Sequence, residues 1–175
     1  AQQRLWFLDQ LEGGLSSTYN MSPVVLRLRG RLDIGALERA LDEIVRRHEV
    51  LHSAYRIEND QPVQVPLENI RVDLPVADLR DLQPELQQQA VDRSVRAQAE
   101  RPFDLRGGEA LLRADLMRLG GGDHVFSLTM HHIISDGWSI GVFVREVSAL
   151  YQGFVSNKFY LPVWLPLLTW LFVVL

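Results

Sequence analysis

HVFSLTMHHIISDGWSIGVFVREVSALYQGF, His124 to Phe154, changes its hydrophobic period once, and the fold turns on that change. His124 to Ile134 is rich in β-branched and aromatic residues and reads as a strand. Beyond it Ile140, Phe143, Val144, Val147, Leu150, Tyr151 and Phe154 recur at steps of three and four, the period of a helix with one apolar face. Asp136-Gly137 stands between the two and supplies the turn. Upstream, Ala110 to Leu119 reads as a second strand, joined to the first through Gly120, Gly121, Gly122 and Asp123, a common way to turn an antiparallel pair.

Working outward, Ala1 to Leu11 (AQQRLWFLDQL) predicts a short helix stopped by Gly13-Gly14, and Met21 to Arg29 a strand closed by Gly30. Asp33 is a candidate N-cap for a helix whose apolar stripe is Ile34, Leu37, Leu41, Ile44, His48 and Leu51. Tyr55 to Val65 carries two β-like runs around Asn59-Asp60, a hairpin signal. Leu79 to Arg101, with Leu82, Leu86, Ala90 and Val95 on one face, predicts a further helix ending near Pro102. Strands and helices alternate without repeats, so the expected class is α/β, with a mixed sheet flanked by helices rather than a doubly wound one.

A chain of 175 residues with 47% hydrophobic and 23% charged residues suits one buried core. The formal net charge is −4 and basic residues are interleaved with acidic ones, so no phosphate-tracking surface for nucleic acid is expected. Cysteine is absent, which removes thiolate nucleophiles, disulfides and Cys-based zinc sites together and fits a reducing, cytoplasmic compartment. The first residue is Ala and no basic-then-apolar leader precedes it, so the chain is expected to begin inside a longer reading frame.

Met130 to Ser139 reads MHHIISDGWS and lies where the strand gives way to the helix, a rigid support from which a side chain can reach a cleft. Strand side chains alternate faces, so His131 and His132 cannot both enter one site if the strand runs through them. By parity His132 follows Phe126, Leu128 and Met130, and His131 follows Val125, Ser127 and Thr129. Parity fails once the chain bends toward Gly137, and periodicity leaves the choice open. A neutral imidazole suits proton abstraction from an amine or hydroxyl near neutral pH, which contributes roughly 10²–10⁴-fold in rate. Asp136 could orient that imidazole or hold the loop, and Gly137 could admit a substrate close to the backbone. The bland alternative is one buried, hydrogen-bonded histidine and one at the surface. No metal set is expected: His132 and Asp136 at i and i+4 would share a face only in a helix, and no third ligand is evident. Arg46 and Arg47 at the end of the first long helix suit its dipole, and Arg47 could also reach Asp136.

Three segments in order, AQQRLWFL at Ala1 to Leu8, RHEVLHSAY at Arg47 to Tyr55 and MHHIISDGWS at Met130 to Ser139, resemble the signatures of nonribosomal peptide synthetase condensation domains. The resemblance covers Ala1 to Phe154 and implies a chloramphenicol-acetyltransferase-like fold of two similar lobes with the active site in a tunnel between them. This chain matches the N-terminal lobe, residues 1–154, so the second lobe is an expected partner and little activity is expected of the chain alone. The resemblance further implies that upstream and downstream carrier proteins deliver an acyl or peptidyl thioester and an aminoacyl group on phosphopantetheine arms, with no intrinsic cofactor. The amine attacks the thioester and a longer amide results. His132 is then the base or the group that positions the amine, His131 orients its loop, Gly137 keeps the loop close to substrate, and Asp136 pairs structurally with Arg47. A thioester is already activated, so positioning with one proton acceptor can suffice. The run DGWS favours condensation over epimerization. A related acyltransferase with a free acceptor, and an inactive lobe that only docks a carrier, are the alternatives.

Two departures stand out. His52, Ser53 and Tyr55 replace the Arg, Thr and Phe usual in the family. After Phe154, residues 155–175 diverge, and Phe159 to Leu175 (FYLPVWLPLLTWLFVVL) carries no charge. That tail reads as a frame change or fragment end in preference to a membrane segment, since about 17 uncharged residues is the lower bound for crossing a bilayer and Pro162 and Pro166 disfavour a helix.

Overall fold

Asp33 starts the first long helix in the way its sequence predicts. In the computed structural model, which describes residues 2–13, 16–59 and 61–156, its carboxylate accepts from the Ala36 N–H at 3.0 Å and caps α2 (Ile34–Arg47). α1 (Gln2–Leu11) precedes it, followed by β1 (Val24–Arg29), which ends at Gly30 with φ +107°, a backbone region that favours glycine. β2 (Ser53–Glu58) and β3 (Gln61–Pro66) form the expected hairpin as a separate two-stranded sheet. β4 (Val76–Asp78), α3 (Pro84–Glu100), β5 (Leu112–Gly120), β6 (Asp123–Met130) and α4 (Gly137–Ser156) complete the chain order.

The main sheet has the order β1-β6-β5-β4, antiparallel except for the parallel β4–β5 pair, and is therefore mixed as expected. Alternation along the strands sorts its two faces. Leu112, Ala114 and Leu116 of β5 and Phe126, Leu128 and Met130 of β6 join Leu41 and Ile44 of α2 and Phe143, Val147 and Leu150 of α4 in the large core. Met117 and Val125, one residue out of phase, meet Val91 of α3 on the opposite face. Helices thus cover both faces of β6, and every residue from His124 to Met130 is buried. α2 and α4 are further tied by His48 Nε2 to Glu146 Oε2 at 2.8 Å and by the Asp33 N–H donating to the Tyr151 hydroxyl at 3.0 Å.

The ends of α2 and β6 and the start of α3 each differ from expectation by at least a helical turn's worth of residues, and one strand, β4, is unexpected. α2 stops at Arg47, with His48 in extended conformation as its cap, and Leu51 falls in a 3₁₀ turn over Glu49–His52. α3 begins at Pro84 rather than Leu79, because proline at the first helical position brings a preset φ and no N–H to satisfy. β4 has three exposed residues with no alternation to betray them, and only its pairing with β5 makes it a strand. β6 ends at Met130 rather than Ile134. His131 retains a single bridge to Asn20 and the next three residues turn. The apolar tail from residue 157 lies outside the described residues. No helix among the described residues is long and apolar enough to cross a membrane.

Candidate active site at the histidine loop

The backbone of His131 is still sheet-like: its N–H donates to the Leu111 carbonyl at 3.0 Å. What ends the strand is its side chain. Nδ1 accepts the Ile133 N–H at 3.0 Å, the His131 carbonyl takes the Ile134 N–H at 3.1 Å, and the same carbonyl accepts the Ser135 hydroxyl at 3.0 Å. Those bonds fold residues 131–135 into a turn, a local alternative to the ladder. Because Nδ1 accepts, the neutral ring carries its proton on Nε2. The ring is fully buried, and burial first, with His132 beside it second, pushes its pKa down to about 4. His131 is therefore a neutral structural element at pH 7.

His132 is on the other side of the turn, exposed, with its N–H donating to the Tyr19 carbonyl at 2.8 Å. The open question of parity resolves in this way: His131 keeps the phase of Val125, Ser127 and Thr129 and is buried, while the turn frees His132 from any strand face. Tyr19 and Asn20 are the support that the sequence does not reveal. Asn20 is itself fixed, its side-chain amide donating to the Ala99 and Arg101 carbonyls at 2.7 and 2.9 Å.

Asp136 acts as the N-terminal cap of α4. Its Oδ1 accepts the Ser139 N–H at 2.8 Å, while its own N–H donates to the Ser139 hydroxyl at 2.8 Å, a reciprocal capping arrangement. Gly137 opens the helix at the surface, and a Cβ built there meets nothing within 4 Å. Trp138, 62% exposed, stands beside it.

The expected Arg47–Asp136 pair is not present among the described residues. Arg47 Nε instead meets Glu43 Oε1 at 2.6 Å, one turn back on α2, where Arg46 also binds both Glu43 oxygens at 2.8 Å. The two arginines lower the Glu43 pKa to about 2, with the hydrogen bond from Arg46 the largest cause. Glu43 lies within one helical turn of Arg47, and Asp136 is already engaged at the start of α4. A double-mutant cycle of Arg47→Ala with Glu43→Ala is expected to show a coupling of about 0.3–0.5 kcal/mol, and the cycle with Asp136→Ala none. Coupling with Asp136 above about 1 kcal/mol in urea unfolding would restore the Arg47–Asp136 pair.

His52 and Ser53, the departures in the second signature, hold local backbone: His52 Nδ1 lies 2.7 Å from the Val45 carbonyl, and the Ser53 hydroxyl donates to the Glu49 carbonyl at 2.6 Å. Tyr55 is buried, which raises its pKa. A separate groove of about 570 Å³, lined by Trp6, Phe7, Gln10, Leu11, Ile57, Gln61 and Pro62, includes none of the histidine-loop residues.

A family model described as "Condensation domain" matches residues 1–160, a span that contains the whole histidine loop and its supports. The chain belongs to the condensation-domain family. Chondramide synthase from Chondromyces crocatus is 49% identical over 158 residues, covering 90% of this chain and 4% of the synthase. One of the linear gramicidin synthase polypeptides from Brevibacillus parabrevis is 47% identical over 158 residues, again 90% of this chain and 2% of the relative. Among solved structures, the first condensation domain of the CDA synthetase is similar with a TM-score of 0.78 at 25% identity, covering 90% of this chain and 40% of that one. The starter condensation domain of rhizomide synthetase shares the fold with a TM-score of 0.79 at 21% identity, covering 90% and 37%. This condensation-domain chain thus spans a few per cent of the synthases it matches and about two fifths of the solved domains.

Proposed function

We propose that this chain supplies the histidine loop of a peptide-bond-forming condensation reaction, in which a carrier-bound acyl or peptidyl thioester is joined to the amine of a carrier-bound aminoacyl group. The observation that carries the reading is the pairing of a buried, neutral His131, whose ring ends the central strand, with an exposed His132 on the turn it creates. Residues 1–154 form the N-terminal lobe in this reading. A second lobe closes the cleft, and the carriers bring phosphopantetheine-tethered substrates to it in the cytoplasm.

His132 accepts or positions the proton of the attacking amine. The amine nitrogen bonds to the thioester carbon, the carbon–sulfur bond breaks, and the departing thiolate takes up the proton that the amine gives up. The capped start of α4 fixes the loop from one side and the Tyr19 carbonyl from the other. Gly137 leaves the backbone next to this centre open.

The test is a complete condensation enzyme carrying these residues, supplied with a donor thioester on one carrier and an aminoacyl thioester on another, with the product read by mass spectrometry. An amide on the acceptor carrier is expected. Consumption of a free amine or alcohol with no carrier-bound product would replace the reading with a free-acceptor acyltransferase. Carrier binding with no transfer would leave a docking lobe. Gly137→Ala is expected to lower amide formation without lowering the thermal midpoint, since the added methyl meets open space and alanine is preferred to glycine in helices by up to about 1 kcal/mol. Unchanged turnover in that variant would mean that substrate does not approach this backbone.

A further inference from the structure

Arg113 and Phe103 lie outside every signature that singles out the histidine loop, yet Phe103 meets it and Arg113 braces Phe103. The Arg113 guanidinium stacks over the Phe103 ring with its central carbon 3.8 Å from the centroid. Its Nη1 donates to the Arg101 carbonyl at 2.8 Å and its Nη2 to the Pro102 carbonyl at 2.5 Å, the two residues that lead into Phe103. Glu109 Oε1 stands 3.6 Å from the same Nη2. Phe103 is fully buried and meets the His131 ring edge-on, with centroids 6.2 Å apart and planes at 86°. Tyr19 flanks the same ring at 6.2 Å and 55°.

We propose that Arg113 and Phe103 are positioning residues that hold the His131 ring in one orientation, and through it set where His132 leaves the sheet. A guanidinium with its side chain only 9% exposed is costly to bury unless its donors are used. Here both Nη groups are used to tie the 101–102 backbone to β5, which fixes Phe103 in place, while the buried Nε has no hydrogen-bond partner among the described residues, and the planar cation adds its attraction to the ring face. Phe103 and Tyr19 then leave the imidazole little freedom to rotate. Rotation would break the Ile133 N–H···Nδ1 bond that creates the turn, so what holds the ring also holds the loop. With its side chain 9% exposed and its contacts made to Phe103 and the backbone leading into it, Arg113 acts through Phe103 and His131.

The kinetic part of this inference rests on the reading of His132 as the working histidine, and the structural part does not. The deciding experiment is nitrogen-15 NMR of the histidines in the 175-residue chain, assigned by single His→Gln variants. In the unsubstituted chain the His131 signals should show an Nε2–H tautomer and a midpoint of about 4. In Phe103→Leu, which keeps apolar bulk, and in Arg113→Lys, which keeps charge but not the planar fork, the midpoint should rise by about one unit or more as water reaches the ring, and the tautomers should mix. In the complete enzyme the same variants should lower kcat by about tenfold with KM for either carrier unchanged. Folded variants with the tautomer and midpoint of the unsubstituted chain would overturn the proposal, even if turnover fell. If Arg113→Ala does not fold, the two conservative variants decide. An enzyme that keeps full turnover after His132→Ala would remove the functional reading while the NMR result still judges the clamp.

Discussion

His132→Ala is expected to reduce amide formation by about 10²–10⁴-fold in the complete enzyme, the range ordinarily lost with a positioned proton acceptor. The substitution should leave folding almost untouched. His132 is exposed, and the bond that anchors it among the described residues, its N–H to the Tyr19 carbonyl, belongs to the backbone and survives in alanine. Surface changes of this kind fall within about 0.5 kcal/mol. Some turnover should remain, because a thioester is an activated acyl group and holding the amine against it lowers the barrier without any base. The loss should appear in kcat with KM for the carriers unchanged, since the proposed role of the imidazole lies in the transfer step. Steady-state rates with both carriers loaded, together with a urea titration, check both halves. Turnover within about threefold of the unsubstituted enzyme would remove His132 from the proton path.

The second large effect is on stability and depends on pH. His131 titrates at about 4 in the folded chain against an ordinary value of 6.5. Its folded pKa is depressed, so the unfolded chain binds a proton between those values that the folded chain refuses. Stability from this group is therefore complete above about pH 6.5 and is lost as pH falls toward 4. The gap corresponds to about 3 kcal/mol, a large share of the margin of a small domain. Asparagine can offer Oδ1 to the Ile133 N–H as imidazole offers Nδ1, but it does not titrate. Urea unfolding of the unsubstituted chain and of His131→Asn at pH 7.5 and 4.5 should show an acid loss larger by about 2–3 kcal/mol in the former. Carboxyls such as Asp9 and Asp115, whose pKa values burial raises, are common to both proteins and cancel in the comparison. Equal acid losses would mean that His131 is not held neutral by the fold.

Local chemistry is readable where one residue settles the matter within a few positions. Asp33 caps α2 because its oxygen needs only the N–H three residues on, and the α2 and α4 stripes follow from helical period alone. The mixed sheet follows from alternation of elements, and the three signatures point to the family from residues alone. What cannot be read depends on distance through space. Arg47 has two carboxylates to choose from, and spacing alone does not show that Asp136 is already engaged by Ser139. β4 exists only because β5 lies beside it. The end of β6 is hidden because the apolar run continues through Ile134, whereas the His131 side chain takes the Ile133 N–H that a ladder would need. Tyr19, Asn20, Phe103 and Arg113 carry no signature at all, since each contributes through a contact with a segment remote in sequence.

The burial of β6 on both faces has a bearing on how such enzymes diversify. A strand hydrogen-bonded on both edges and covered on both sides opens last in hydrogen exchange and moves least with temperature. His132 leaves just past its end, so in the proposed reading the histidine is a fixed landmark against which donor and acceptor are both measured. On that reading a bulkier or differently shaped substrate would be accommodated by reshaping the surfaces that face the histidine rather than the strand that carries it. Swapping those surfaces between relatives should change which monomers are joined while leaving the histidine loop, and the response of His131 to acidity, as they were.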